Sequence, residues 1–547
     1  MEIKKKPKDI RSEYDKGTTY NSNLNLYEQV EKNQRFYNGD QWYGVKAPGM
    51  MKPVFNVIKR VINYFVAMIV SNDISASINP FDDANEEHKA LSKSISAELD
   101  KQIERNNLKE LTRELVRDAA TDGEAYVYSY FDADYETYQH AKGMIKSELV
   151  ENTKVIFGNP YSDNLQNQPY IIIMQRLFVE QVKEEAKANG ASETDILSIK
   201  ADNDQTFIND DANCLATVLT KFWKETIQEE TTDELGNVTV STRKTVKYIK
   251  TCGDAIVKPE TDTGYTLYPL ARMPWVKQKN SYHGLSPVTE IIENQIFINQ
   301  TYAMAMVYMK ANGFPRIIYD AAKIKQLASG ADGACKVQNI DLLGKIIDGI
   351  KTPDFSNQIM QLIDSTINMT KEFMGASDAS LGNVKPENTS AIIAIQQATA
   401  VPLELQKLAF KDCIESVVRI YIDMMAENFG VRTVKYTDDQ GNPAYADIDF
   451  SILKSMNFEL NVDIGDSAYW SEITQVNTLD NLFNKGILTD AVTYLENIPD
   501  KYVKGKQKVI DSVKRSQEAQ QMAAQQQQQF EQQKTAADQA ARILKGI

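Results

Sequence analysis

The sequence predicts a helix-rich α+β protein made of several parts, and three observations carry that reading. Apolar residues recur at helical spacing over long stretches on both sides of a short Gly-rich insert. The first half also holds β-branched runs with the alternation of strands. At 547 residues the chain exceeds what one compact core usually serves, and its 42% apolar and 25% charged composition is that of a folded protein.

From the N-terminus, MEIKKKPKDI has lysines with no apolar run behind them, which does not fit a secretory signal, and residues 1–23 are expected as a flexible, solvated tail. In the stretch RFYNGDQWYG, the helical spacing from Leu24 to Tyr37 ends at Asn38-Gly39, where a left-handed residue closes a helix. Trp42 and Tyr43 are then expected to pack on a second helix, Phe55 to Val70, which follows Pro53. A ligand site built from Tyr37, Asp40 and Trp42 is the competing reading, and the helix end pinned by packing is preferred. Further on, LKELTRELVRDAATDGEAYVYSYFD places Leu108, Leu111, Leu115 and Ala119 on one helical face and switches at Gly123 to strand alternation. More strand-like runs lie between Phe222 and Val257, with Leu235-Gly236-Asn237 as a hairpin turn.

The character changes at HGLSPVTEIIENQIFINQTYAMAMVYMKANGFP. Ser286 suits an N-cap, Pro287 the first helical position, and Gly313 with Pro315 a stop. A helix of roughly 25 residues follows, about 38 Å long at the usual rise. Its second half, Tyr302 to Met309, is apolar on every side, a pattern that requires burial all round. The insert Phe314 to Pro353 separates it from a second helix at Asn357 to Met374. The loop GASDASLGNVKPENTS comes next, then a long helical pattern from Ser390 to Phe429 that stops at Gly430 and carries a kink at Pro402. A strand-rich patch runs to Asp463, two short helices join at Gly486, and a Gln/Ala-rich tail from Gln517 to Gln533 lacks an apolar stripe.

Several function classes are disfavoured by these residues. A formal charge of −14 argues against a broad basic surface that grips nucleic acid. Cys214, Cys252, Cys335 and Cys413 form no CxxC pair, so neither a zinc cluster nor a disulfide framework is indicated, and a reducing compartment fits. The stretch Val54 to Val70 holds Lys59, Arg60 and Asn63, and Tyr302 to Met309 is far shorter than the ~20 residues of a membrane span. His88, His140 and His283 have no metal-ligand spacing, and no phosphate loop, dinucleotide fingerprint or nucleophile elbow occurs. No cofactor is expected. Asp463 and Asp466 in NVDIGDSAYWSE are the nearest carboxylate pair, and the same letters make a turn before a capped helix.

Taken in order, RFYNGDQW, KPVFNVIKRVINYFVAMIVSND, TDGEAYVYSYFD, HGLSPVTEIIENQIFINQ, ENTSAIIAIQQ and FNKGILT resemble the portal proteins of tailed bacteriophages, over residues of about 30 to 500. The resemblance implies a non-enzymatic virion protein: a homo-oligomeric ring, typically a dodecamer, at one capsid vertex. Double-stranded DNA would pass through it during packaging, retention and ejection, and its partners would be capsid protein, terminase and then a tail adaptor, with no membrane. It implies a wing over 24–285, stem helices over 286–313 and 356–375, and a clip over 314–355. A tunnel loop would cover 376–389, with Asn383, Lys385, Glu387 and Asn388 facing DNA. A long wing helix and β patch would cover 390–464, a crown 465–515 and a C-terminal tail 516–547. Tyr302, Met306 and Met309 would pack between neighbouring stems. Two properties agree independently: an all-round apolar helix finds neighbours in a closed ring, and an acidic channel does not hold what it passes. The alternatives are another head or tail component, or a metal-dependent enzyme using Asp463 and Asp466.

Overall fold

The computed structural model describes residues 3–70, 74–80, 86–136, 142–202, 215–232, 238–312, 317–320, 335–337, 347–349, 357–376, 401–437, 443–454 and 458–463, and in the C-terminal part residues 476, 478–485, 491–496, 498, 509–510 and 512–515. The chain divides into two compact units, 1–464 and 465–547.

The first departure from the sequence reading is at the N-terminus. Residues expected as a tail form helix α1 (Pro7–Asn23), opened by proline in the first turn. Its Ile10 is fully buried against Ile172, Leu219 and Trp223 of a sheet. The anchor is polar: the wholly buried Lys221 ammonium donates to Glu13 at 2.6 Å and to the Lys4 carbonyl at 2.8 Å. Burial lowers the pKa of Lys221, and the Glu13 carboxylate opposes that shift. The lysines of MEIKKKPKDI hid this, because the apolar contacts of the segment come from isolated residues.

Helix α2 (Leu26–Asn38) ends where predicted, with Gly39 at φ +95°. Helix α3 (Val57–Ile69) is capped by the Asn56 side chain, which accepts from the Lys59 amide at 2.9 Å. Between them Trp42 donates from Nε1 to the Pro53 carbonyl at 2.8 Å, so it closes a strap over residues 40–56. Tyr43 does not pack on α3: it is exposed, with the Arg35 guanidinium 3.4 Å from its ring centre.

The mixed part follows. Strand β1 (Ser75–Pro80), α4 (Glu86–Arg105) and α5 (Leu108–Asp122) precede β2 (Glu124–Glu136) and β3 (Lys142–Val150). Then come β4 (Val155–Phe157), β5 (Tyr170–Phe178), α6 (Val179–Ala188), α7 (Glu193–Ser198), β6 (Leu215–Thr232), β7 (Val238–Cys252), β8 (Ala255–Asp262) and β9 (Leu270–Pro274). Strands β4 to β8 form one antiparallel sheet in sequence order, and β2 lies between β3 and β9 in another. The β6–β7 hairpin pairs out to Thr232 and Val238, and the predicted turn residues between them lie outside the described set.

Helix α8 (Pro287–Asn312) and α9 (Asn357–Phe373) pack together, and the insert between them contains β10 (Ile317–Asp320), β11 (Cys335–Val337) and β12 (Ile347–Gly349) in one small sheet with β10 in the middle. Helix α10 (Glu404–Asn428) follows a 3₁₀ turn at Val401–Leu403 that contains Pro402, and residues 390–400 of the predicted long helix lie outside the described residues. Phe410, Ile414, Val417, Val418, Tyr421 and Met425 bury it almost all round in the main core. Asp423 fixes the turn before β9 by accepting from the amides of Thr266 and Leu267 at 2.8 and 2.9 Å. Strands β13 (Val431–Thr437), β14 (Pro443–Asp449) and β15 (Phe458–Asp463) complete the unit, with β15 antiparallel to β1. In the second unit, Tyr494 of α11 (Ala491–Glu496) packs on Phe483 at 4.7 Å and donates to Asp480. Gly486 and the Gln/Ala-rich tail lie outside the described residues.

A Glu13→Ala variant strands the Lys221 charge in the core, where an unpaired buried ion costs about 3–5 kcal/mol. Urea denaturation is expected to show a loss of that order, and the double variant Glu13→Leu with Lys221→Met should recover most of it.

Candidate functional site at the root and flanks of the long apolar helix

The side chains at the start of α8 are held by a contact in which no side chain takes part. Gly123 ends α5 at φ +96°, and a Cβ there would lie 2.6 Å from the Gly284 carbonyl oxygen. A Cβ on Gly284 would meet the Gly123 oxygen at 2.2 Å. Only two glycines permit that approach. The Trp275 amide donates to the Gly123 carbonyl at 2.8 Å, and Leu285 closes a turn onto Val276 at 2.9 Å. Ser286 then caps α8 by accepting from the Val288 amide at 3.1 Å, while its hydroxyl points to the Ala120 and Thr121 carbonyls, each at 2.7 Å. The predicted N-cap therefore also satisfies carbonyls at the C-terminal end of α5.

Around this contact lies a buried ionic junction. Glu124, the first residue of β2, accepts from Arg272 Nε of β9 at 2.9 Å and faces His283 Nδ1 at 2.6 Å. The other nitrogen of His283 lies 2.9 Å from Asn21 of α1. Burial alone would raise the Glu124 carboxyl, but the Arg272 charge and the His283 hydrogen bond outweigh it and hold its pKa down. His283 thus joins three segments, with both ring nitrogens against protein partners. Beside it, Asp122 accepts from Gln34 Nε2 at 2.8 and 3.0 Å, and burial with the nearby Asp118 and Glu151 charges pushes its pKa up to about 7.

One turn into α8, Asn33 of α2 donates to Thr289 at 3.0 Å. Gln295 and Asn299 then hold the strap: the Val57 amide donates to Gln295 at 3.0 Å, Gln295 to the Phe55 carbonyl at 2.7 Å, the Phe55 amide to Asn299 at 3.2 Å, and Asn299 to Gln41 at 2.5 Å. These buried amides were missed in the sequence. Their signal was present, since two amides four residues apart on a helix share one face. The strap, α2 and α8 also enclose an open cavity of about 700 Å³ lined by Arg35, Asp40, Trp42, Tyr43, Ile296 and Gln300 among others. Asp40 and Trp42 of the competing ligand reading line it; Tyr37 instead donates to Asn63 at 3.2 Å.

The structure places the predicted packing residues on α8. Tyr302 is half-buried, its ring 4.3 Å from Phe55 of the same chain, Met306 is half-buried, and Met309 is 64% exposed. Met304 and Val307 are also open, at 61% and 45%. The apolar half of α8 is therefore covered on one flank only. Asn383, Lys385, Glu387 and Asn388 lie outside the described residues, as do His140 and Asp466. Asp463 sits in β15 opposite Ser75, and His88 lies on α4. Among the described residues no group of His, Cys, Asp or Glu is placed to hold a metal ion, and no helix is long and apolar enough to cross a membrane.

A protein-family match decides among the readings: residues 12–545 match the phage P22-like portal proteins. The chain belongs to that portal family. The family is structural and non-enzymatic, and the α+β architecture of the chain is consistent with it. No curated protein matches the chain. Just ahead of α8 the junction ties α1, β2 and β9 together through Asn21, Glu124, Arg272 and His283.

The raised pKa of Asp122 has a definite sign. The folded chain keeps a proton that the unfolded chain releases, so this group favours folding at low pH and its contribution is lost as pH rises towards 7. Asp122→Asn is expected to leave stability near pH 4 almost unchanged and to raise it at pH 8 by up to about 4 kcal/mol. Denaturant titrations at the two pH values check this.

Proposed function

We propose that the chain is one subunit of a portal ring at a capsid vertex, through which double-stranded DNA is packaged, retained and released. The family match over residues 12–545 carries the reading. In it, residues 24–285 are the wing, 286–313 and 356–375 the stem, 314–355 the clip, 376–389 the tunnel loop, 390–464 the long wing helix with its β patch, and 465–515 the crown. Terminase docks on the clip first and a tail adaptor afterwards. The ring is a dodecamer located in the virion.

Two observations support the division of labour. Helices α8 and α9 pack together, and the chain that joins them in sequence contains a small three-stranded sheet. The half of α8 carrying Met304, Val307 and Met309 is exposed in a single chain, and large open apolar surfaces mark contact sites. Tyr302, Met306 and Met309 belong to the contact between neighbouring stems.

Met306→Asp introduces a charge into that contact, at a cost of several kcal/mol per copy. Sedimentation is expected to show monomers with unchanged helix content, where wild type sediments as a ring; a ring of wild-type size from the variant rejects the stem assignment. Lys385 is the lone base among the proposed tunnel-loop contacts, and a ring of such lysines touches passing phosphates weakly and in a salt-sensitive way. Lys385→Ala should leave assembly intact and alter the amount of DNA retained per particle. Unchanged DNA content at low and high salt removes Lys385 from the DNA path.

A further inference from the structure

We propose that the strap of residues 49–55 in one copy packs against the opposite flank of the α8–α9 pair in the next copy. This rests on the ring reading above and names the two surfaces that close the ring. The strap is held rigidly on its own α8 through Gln295 and Asn299, yet Met51, Val54 and Phe55 remain 50%, 39% and 40% exposed. An ordered, amide-clamped segment that presents apolar side chains to solvent is shaped for a partner.

The second surface lies across the helix. Phe55 meets α8 at Tyr302. Phe297 precedes Tyr302 by five residues and Met304 follows it by two, which rotates both by roughly 140–160° to the other side of α8. Phe297 is 42% exposed and Met304 61%. Met369 of α9, next to the Thr370 hydroxyl that bonds Asn294 of α8, extends this apolar flank.

The charges match in the same sense. Between Gln41 and Asn56 the ionisable residues with charge are Lys46 and Lys52, both exposed and without an acidic partner among the described residues. The first turns of α8 carry Glu290 and Glu293, both exposed; Glu293 is paired with Lys32 of α2 at 3.4 Å, which leaves Glu290 as the open carboxylate of this flank. A basic, apolar strap therefore faces an acidic, apolar flank if copies are placed side by side. The two surfaces lie on opposite sides of α8, so each copy offers its strap to one neighbour and its flank to the other, and repetition of such a contact by rotation closes a ring.

The test uses the full chain with Val54→p-benzoylphenylalanine, a photo-crosslinking residue at an exposed position. Irradiation of the assembled particle is expected to give a dimer band on a denaturing gel, with the adduct mapping by mass spectrometry to residues 290–307 of α8 or 362–369 of α9. An assembled ring that yields no dimer band, or an adduct elsewhere, overturns this inference and leaves the ring reading standing. Wild-type protein that remains a monomer at the same concentration overturns both.

Discussion

The larger unit depends on one backbone-to-backbone contact. Gly123 and Gly284 approach so closely that neither tolerates a Cβ, and through them the end of α5, the start of β2 and the entrance of α8 occupy a single point. Because the contact is steric, it has little freedom to slide. The Glu124, Arg272 and His283 junction surrounds it with charge-assisted bonds, so a rotation of α8 about its root breaks buried ion pairs as well as packing. A long helix that is partly unsupported along its length needs such a root if it is to keep a fixed direction.

The same logic explains where polar groups are placed. Buried amides at Gln295 and Asn299 tie the strap to α8 at its midpoint, and beyond them the helix becomes apolar and open. The polar bonds of α8 are thus concentrated in its first half, while Met304, Val307 and Met309 of its second half are exposed.

Much of the fold is readable in the sequence, for local reasons. The Gly39 cap, the switch at Gly123, the Ser286-Pro287 start and the Asn357 helix are set by short-range chemistry that a pattern reveals. What the pattern concealed depends on partners far away. Helix α1 looked like a tail because Ile10, Glu13 and Lys221 make sense only together, and Lys221 lies over two hundred positions from Glu13. Tyr43 looked like a packing residue and is exposed, because the strap turns on the Trp42 to Pro53 bond first. The junction of Glu124, Arg272, His283 and Asn21 gathers residues from three distant segments, each of an ordinary type in its own surroundings. The portal resemblance was visible as an ordered series of weak motifs, and the family match agrees with it.

The central claim is that this chain closes into a ring with α8 and α9 around its axis. A three-dimensional reconstruction by electron cryomicroscopy of the purified full-length chain tests it most directly. The account predicts a closed, rotationally symmetric ring with the two helices lining a central opening. A monomer, an open filament, or a ring with α8 and α9 on its outer rim contradicts it.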